Sequence, residues 1–503
     1  ANFKTASADK DAGAAFLKYK DFKPYVDYFN SMEDENIAQA IPNARASQWM
    51  EENIPLFECS QKNFEEMYYY RWWTLRKHIK ETPVGYGMTE FLVNRSYADK
   101  YNLIACAIGH HIYESRWLRN PEYLNQIIHT WYRGNEGGPM AKMTKFSSWN
   151  ADAVLGRYMV DGNKEFLLDM VKDLEAEYAR WEKTNRLPNG LYWQGDVQDG
   201  MEESISGGRR KQYARPTINS YMYGNAKALS LIGIMTGDEG MAMKYGLKAD
   251  SIKTLVQDKL WNTDHHFFET MRGDASAEVR EAIGYIPWYF NLPDASSKYT
   301  VAWKEVMDEK GFSAPYGLTT AERRHPEFRT HGVGKCEWDG AIWPFASAQT
   351  LTAMANFMNN YPQTVLTDSV YFHQMERYVE SQHHRGRPYI GEYLDEVTGY
   401  WLKGDQERSR YYNHSTFNDL MITGLIGLRP RMDNTVEVNP LIPEGKWDYF
   451  CLDNVLYHGR NLTILWDKDG SRYQRGKGLH IYVDGKEVGH ADTLTRVLCE
   501  NVL

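Results

Sequence analysis

The sequence predicts a mainly α chain: a toroid of paired helices closed by a small C-terminal β-sandwich-like module. Three observations lead there. From about residue 60 to 430, long amphipathic segments alternate with Gly-, Pro- and Trp-rich loops. Apolar strand runs are missing between those segments, which argues against a parallel α/β barrel. After Pro430 the pattern turns to β-branched alternation. At 503 residues the chain exceeds a single core, so one large domain with a smaller companion is expected. The division read here is a lead-in at 1–60, a helical domain at 61–430 and a β module at 431–503. The first 45 residues, polar and rich in Ala, Asp and Lys, are expected to form a loosely held arm.

The elements follow in order. Helices are expected at 100–114 and 121–133. In 165–183, Phe166, Met170, Leu174, Tyr178 and Trp181 recur at helical spacing, and Asn185 to Gly190 breaks the run. Residues 219–236 read as the next helix through Ala226, Leu229 and Ile232. Residues 241–260 read as another, with Met243, Leu247, Ile252, Leu255 and Leu260 on its core face. Two more are expected at 344–359 and 367–382. In the last module, Thr435–Asn439, Asn461–Trp466 and Leu479–Val483 read as strands, and Asp484-Gly485 as a hairpin turn.

The bulk numbers exclude several classes. A net charge of −9 argues against nucleic acid as partner, since phosphate binding wants a basic face. No apolar run approaches the length of a membrane span. Cys59, Cys106, Cys336, Cys451 and Cys499 are too scattered for a metal site or a disulfide framework, so buried thiols are expected. The start at Ala1 fits a removed secretion signal and hence a periplasmic or secreted protein, and equally a trimmed chain. There is no nucleophile elbow, phosphate loop or dinucleotide fingerprint, and no cofactor is called for.

Two acidic clusters carry the chemistry. The first is Asp196-Val197-Gln198-Asp199-Gly200-Met201-Glu202-Glu203-Ser204, and the second is Gly391-Glu392-Tyr393-Leu394-Asp395. Between them lies Cys336-Glu337-Trp338-Asp339-Gly340-Ala341-Ile342-Trp343-Pro344. Carboxylates among Trp, Tyr and Gly suit glycosidic bond cleavage, in which one group donates a proton and another holds water while aromatic faces grip the sugar. The loop aromatics Tyr192, Trp193, Trp338, Trp343, Tyr393 and Trp401 are the candidate sugar contacts. His110-His111 with Glu114 offers two metal ligands on one helix face without a third, so a subsite wall or an ionic cluster with Arg116 is the better reading. His383–Arg387 and Arg209-Arg210-Lys211 are basic loops. If the latter faces the cleft, the substrate is acidic.

The order of these motifs resembles the (α/α)6-barrel glycosidases related to trehalase, family-63 α-glucosidases and mannosylglycerate hydrolase. The likeness covers roughly residues 60–450. Tyr68–His78 and His110–Trp117 look like a branch near the family-142 β-L-arabinofuranosidases. That resemblance implies a six-hairpin toroid acting as an exo, inverting glycoside hydrolase on an oligosaccharide or polysaccharide. In that group the general acid stands in a Gly-(Trp/Met)-Asp-x-Ser loop. Gly200–Ser204 matches it with Glu202 as the acid, although Glu replaces Asp, which keeps Asp199 and Glu203 as alternatives. The base implied is Glu392, followed by Thr398-Gly399. The Trp-Asp-Gly segment implies a sugar subsite at Trp338, Asp339 and Trp343, with Asp199 beside the acid. Asp339 as a cap for the helix at Pro344 is an equal alternative. The rival classes are a polysaccharide lyase or sugar epimerase, revealed by an unsaturated or epimerised product, and a glycan-binding protein without turnover.

Overall fold

The computed structural model describes residues 16–503. Six helical segments follow one another round a closed inner ring: Ile108–Ser115, Asn150–Asp161, Pro216–Thr236, Ile286–Tyr289, Pro344–Asn360 and Asn418–Leu420. Each packs on the next, and the last returns to the first. Their hairpin partners include Glu122–Arg133, Lys164–Asn185, Glu239–Leu255, Asp368–Ser381 and Lys62–Lys77. This is the expected (α/α)6 toroid.

The inner Pro216–Thr236 helix shows why the ring holds. Pro216 starts it, where a missing N–H costs nothing. Ile218, Tyr221, Met222, Leu229 and Ile232 are buried on several sides. Gly224 lets the ring neighbour in, since a Cβ there would lie 2.2 Å from Phe290. The partner Glu239–Leu255 is capped by Asp238, which accepts the Met241 N–H, and buries a single stripe: Met241, Tyr245, Ala249 and Ile252. Met243 and Leu247, expected in its core, are 68% and 61% exposed. Two residues along a helix rotate a side chain by about 200°, which carries them to the opposite face.

Other expectations shift in detail. The helix expected from residue 100 starts at Ile108. Before it, Tyr101 and Asn102 adopt positive φ, and Asn102 spends its amide on the Phe91 and Val93 carbonyls. Part of the expected N-terminal arm, residues 1–15, lies outside the described residues. From Phe16 on the lead-in is packed: Val26 and Phe29 are fully buried, and Leu56–Cys59 pairs antiparallel with Tyr449–Tyr457. It thereby becomes an edge of the C-terminal sheet, which continues through Arg460–Asp467, Gly478–Val483 and Lys486–Ala491. A second sheet joins Leu428–Arg429, Val436–Val438 and Val497–Cys499. Asp484 and Gly485 both take positive φ, as a two-residue hairpin turn demands. No helix among the described residues is long and apolar enough to cross a membrane.

Candidate active site

The candidate carboxyls stand on loops between the inner helices. Glu202 sits in the loop 195–212, between two paired strands, Trp193–Gln194 and Tyr213–Ala214. That loop is bolted down through Asp199. One Asp199 oxygen accepts from Ser147 Oγ at 2.5 Å, and the other from Arg215 Nε at 2.7 Å and Thr217 Oγ1 at 2.5 Å. Asp199 and Arg215 are both fully buried at the side chain. Asp199 therefore anchors the loop that carries Glu202, with both of its oxygens engaged by the protein rather than free for a proton transfer or a sugar. Met201 is buried and its N–H reaches the Asp196 carbonyl at 2.9 Å, which fixes the backbone before Glu202.

Glu392 arrives from the far side of the sequence on a segment clamped to the Trp loop. Ile342 and Leu394 exchange both backbone hydrogen bonds, at 3.0 and 2.9 Å. Arg329 forks to Glu337 at 2.9 Å, Asp395 at 2.7 Å and Glu396 at 2.8 Å, tying the two loops together by charge. Glu392 Oε1 faces Cys336 Sγ at 3.9 Å, while Oε2 is buried without a protein hydrogen-bond partner. A buried orphan oxygen on a carboxylate is costly unless a ligand or water completes it.

Electrostatics separates the two carboxyls. Burial pushes Glu202 up to about 7, helped by the negative Glu392 and Asp196 and opposed by Arg209. Burial also raises Glu392, but Lys403, Arg408 and Arg95 pull it back toward the ionised form. Burial thus favours the proton on both carboxyls, and the three cations around Glu392 oppose that rise where Glu202 has Arg209.

A third carboxyl, Glu90, escaped the sequence reading. It is buried, accepts from Cys106 Sγ at 3.4 Å, and stands 3.7 Å from His414 Nδ1. Burial lifts it to about 8, and Glu392 and Glu202 both add to the rise. His414 is held well below its ordinary value by burial, and its Nε2 lacks a partner. Thr89-Glu90-Phe91 belongs to no acidic cluster, so its spacing gave no signal. Two of the scattered thiols, Cys106 and Cys336, belong to this site, and among the described residues none of the five forms a disulfide.

The aromatic expectations divide. Trp338, Trp343 and Tyr393 form one stack, with ring centroids 4.6 Å apart at both steps. The Trp338 indole N–H is buried and unpaired, like Glu392 Oε2. Trp193 is half-buried and lines a separate cavity. Tyr192 is buried, with its backbone held by Asn219 at 2.8 Å, and belongs to the core. Trp401 is buried too. Its indole N–H donates to the Ser381 and His383 carbonyls, and its ring backs Gly391, where a Cβ would lie 2.9 Å away. It supports the turn before Glu392. Asp339 caps no helix: its Oδ2 accepts the His331 and Gly332 N–H groups at 2.6 and 3.1 Å and so clasps that loop.

The remaining polar motifs are structural. His110 and His111 reach the Phe345 and Asn413 carbonyls, and Glu114 takes the N–H groups of Phe417, Asn418 and Asp419. Arg116 pairs with Asp419 at 2.8 Å, so the expected ionic cluster forms without Glu114. His384 and Arg385 meet Asp405 on the surface. Among the described residues, His265, Glu269 and Glu278 bring ligand atoms within 4.8 Å of one another. There the imidazole lies between the carboxylates, Nδ1 2.7 Å from Glu269 and Nε2 3.2 Å from Glu278, a hydrogen-bonded arrangement complete in itself.

Comparison with known proteins agrees with this architecture. Residues 100–415 match the mannosylglycerate hydrolase MGH1-like glycoside hydrolase domain, and residues 428–490 match the C-terminal domain of glycosyl hydrolase family 65. A solved structure named sialidase is 83% identical with a TM-score of 0.98, over 99% of this chain. The chain spans 46% of that protein, about half its length, and the name describes the whole. The family-63 mannosylglycerate hydrolase from Thermus thermophilus, solved with glucose, is 11% identical with a TM-score of 0.50, over 71% of this chain and 99% of that one. A family-78 rhamnosidase from Bacillus sp. GL1 is 10% identical with a TM-score of 0.56, over 82% and 40%. At such identities the likeness is one of fold. With the family match covering more than half its length, the chain is a glycoside hydrolase and belongs to the MGH1-like glycoside hydrolase domain family.

Proposed function

We propose that this chain is an exo-acting, inverting glycoside hydrolase, with Glu202 as general acid and Glu392 as general base. One observation carries the reading: two buried carboxyls from distant loops lie close enough to feel each other's charge, and Glu392 has Lys403, Arg408 and Arg95 to draw it toward ionisation where Glu202 has Arg209. Inversion needs an acid on the leaving oxygen and a base holding water on the opposite ring face. Glu392 Oε2, buried and unpaired, is where such a water would be held. The stacked Trp338, Trp343 and Tyr393, with the unpaired indole N–H of Trp338, offer a ring face and a donor for the terminal sugar. Near-complete burial of Glu392 and Glu90 favours a pocket that takes a chain end over an open groove. The carbohydrate is an oligosaccharide or polysaccharide, and secretion or a periplasmic place fits such a substrate.

The test is a pair of isosteric variants on a substrate found by screening plant and host glycans. E202Q and E392Q should each lose at least about 100-fold in kcat, the usual scale for acid–base groups. Both should still bind product. Retention of near wild-type rates by both would overturn the assignment. Release of internal oligosaccharides in place of single sugars would overturn the exo reading.

A further inference from the structure

The loop that carries Glu202 borders a second cavity. This cavity, of about 370 Å³, is lined by none of Glu90, Glu202 and Glu392. Its walls include two indoles: Trp181, from the end of the Lys164–Asn185 helix, and Trp193, whose carbonyl is pinned by the Asn185 amide at 3.0 Å. Gln198, Gln212, Arg210 and Lys145 are among its polar lining, beside Thr144, Asn185 and Gln194.

Three features distinguish it from a surface dimple. No carboxylate lines it, although the chain carries a net charge of −9. Arg210 stands at φ 63°, a conformation an arginine adopts at a cost of order 1 kcal/mol and that clusters where function is served. The side chains of Gln198, Gln212 and Arg210 make no hydrogen bond or ion pair with any described residue, so their polar groups are free for a ligand. Gly195 makes room for one of them, since a Cβ there would lie 2.9 Å from Gln198 Oε1. Lys145 is braced in place by the Tyr97 carbonyl at 3.0 Å.

Indole faces suit the C–H face of a sugar ring, primary amides suit vicinal hydroxyls, and a guanidinium fork suits a carboxylate. We propose that this cavity is a second carbohydrate subsite, apart from the catalytic pocket, that takes a carboxylate-bearing sugar of the glycan, with Trp193 against the ring and Arg210 and Lys145 on the carboxylate. The inference rests on the glycan-hydrolase reading for its ligand, but it is tested by binding alone.

Trigalacturonate and neutral galactotriose are titrated calorimetrically into the full chain, into E392Q, and into R210A and W193A. Arg210 is exposed, so R210A leaves the fold intact even if W193A does not. The expected result is that the acidic trisaccharide binds wild type and E392Q alike. R210A should weaken it at least 10-fold, and galactotriose should bind at least 10-fold more weakly than trigalacturonate. Absence of trigalacturonate binding, or binding unaffected by R210A, or equal binding of the neutral sugar, overturns the proposal. Binding lost in E392Q and kept in R210A would place the acidic sugar in the catalytic pocket and overturn it equally. Failure of the acid–base assignment would leave every one of these titrations unchanged.

Discussion

Replacing Glu202 by Gln should make the protein more stable as it makes it inactive, and the gain should depend on pH. In the folded chain burial lifts this carboxyl from 4.5 to about 7. An unfolded Glu ionises at its ordinary value, so folding penalises the charged form. At about 1.4 kcal/mol per pH unit, the penalty reaches about 3 kcal/mol once both states are ionised. The sign follows from the raised value. Below pH 4.5 both states hold the proton and no penalty exists; it grows between pH 4.5 and 7 and is level above. Gln carries no charge at any of these values. Solvent at the half-buried carboxyl and the partial sharing of charge with Glu392 reduce the figure, so about 1–3 kcal/mol is expected at pH 8. For a chain of this size, with roughly 2 cal/mol/K of unfolding entropy per residue, about 1 kcal/mol moves Tm by ~1 °C. Thermal melts of wild type and E202Q at pH 4.5 and pH 8 read the effect directly. E202Q should melt about 1–3 °C higher relative to wild type at pH 8 than at pH 4.5. A difference independent of pH, or one of opposite sign, would refute the claim that Glu202 is held as a protonated acid.

Three other outcomes follow from the same geometry. The wild-type rate should fall above pH 7 as Glu202 loses its proton, and fall more steeply above pH 8 as Glu90 ionises beside it; E90Q should keep the first decline, lose the added steepness, and retain kcat/KM within about 10-fold at pH 6, all visible in one pH–rate profile. D199A should remove the anchor of the acid loop and leave Arg215 charged and buried, costing about 3–5 kcal/mol in denaturant unfolding, with D199N recovering part of it. W401F should cost the indole hydrogen bonds behind Gly391 and lower kcat more than it raises KM, because the ring supports the turn carrying Glu392 and does not meet the sugar.

The hairpins were legible because helices announce themselves by period. The runs at 121–133, 165–183, 219–236, 344–359 and 367–382 lie within a few residues of the observed helices. Periodicity was weaker at telling which face is buried, as Met243 and Leu247 show, because two stripes of similar apolarity compete along that helix. It was blind to Asn150–Asp161, whose signal is diluted by Asn150, Asp152 and Arg157. At the site, the loops bearing Glu202 and Glu392 stood out as acidic clusters beside Gly and aromatics. What the sequence could not show was which aromatics face inward. Tyr192 and Trp401 look like Trp193 and Trp343 in composition, and only the hydrogen bonds of the fold separate a wall from a support. Glu90 was invisible for a related reason: its role comes from Cys106, His414 and Glu392, residues between 16 and 324 positions away, brought to it by ring closure.

The central claim is a two-carboxylate inverting mechanism, and the anomeric form of the first product tests it most directly. Proton NMR followed from the first minutes of hydrolysis, before mutarotation, should show a released monosaccharide with configuration opposite to that of the bond cleaved. Release with the original configuration would contradict the account, because retention demands a carboxylate close enough to form a covalent glycosyl intermediate in place of one that holds water.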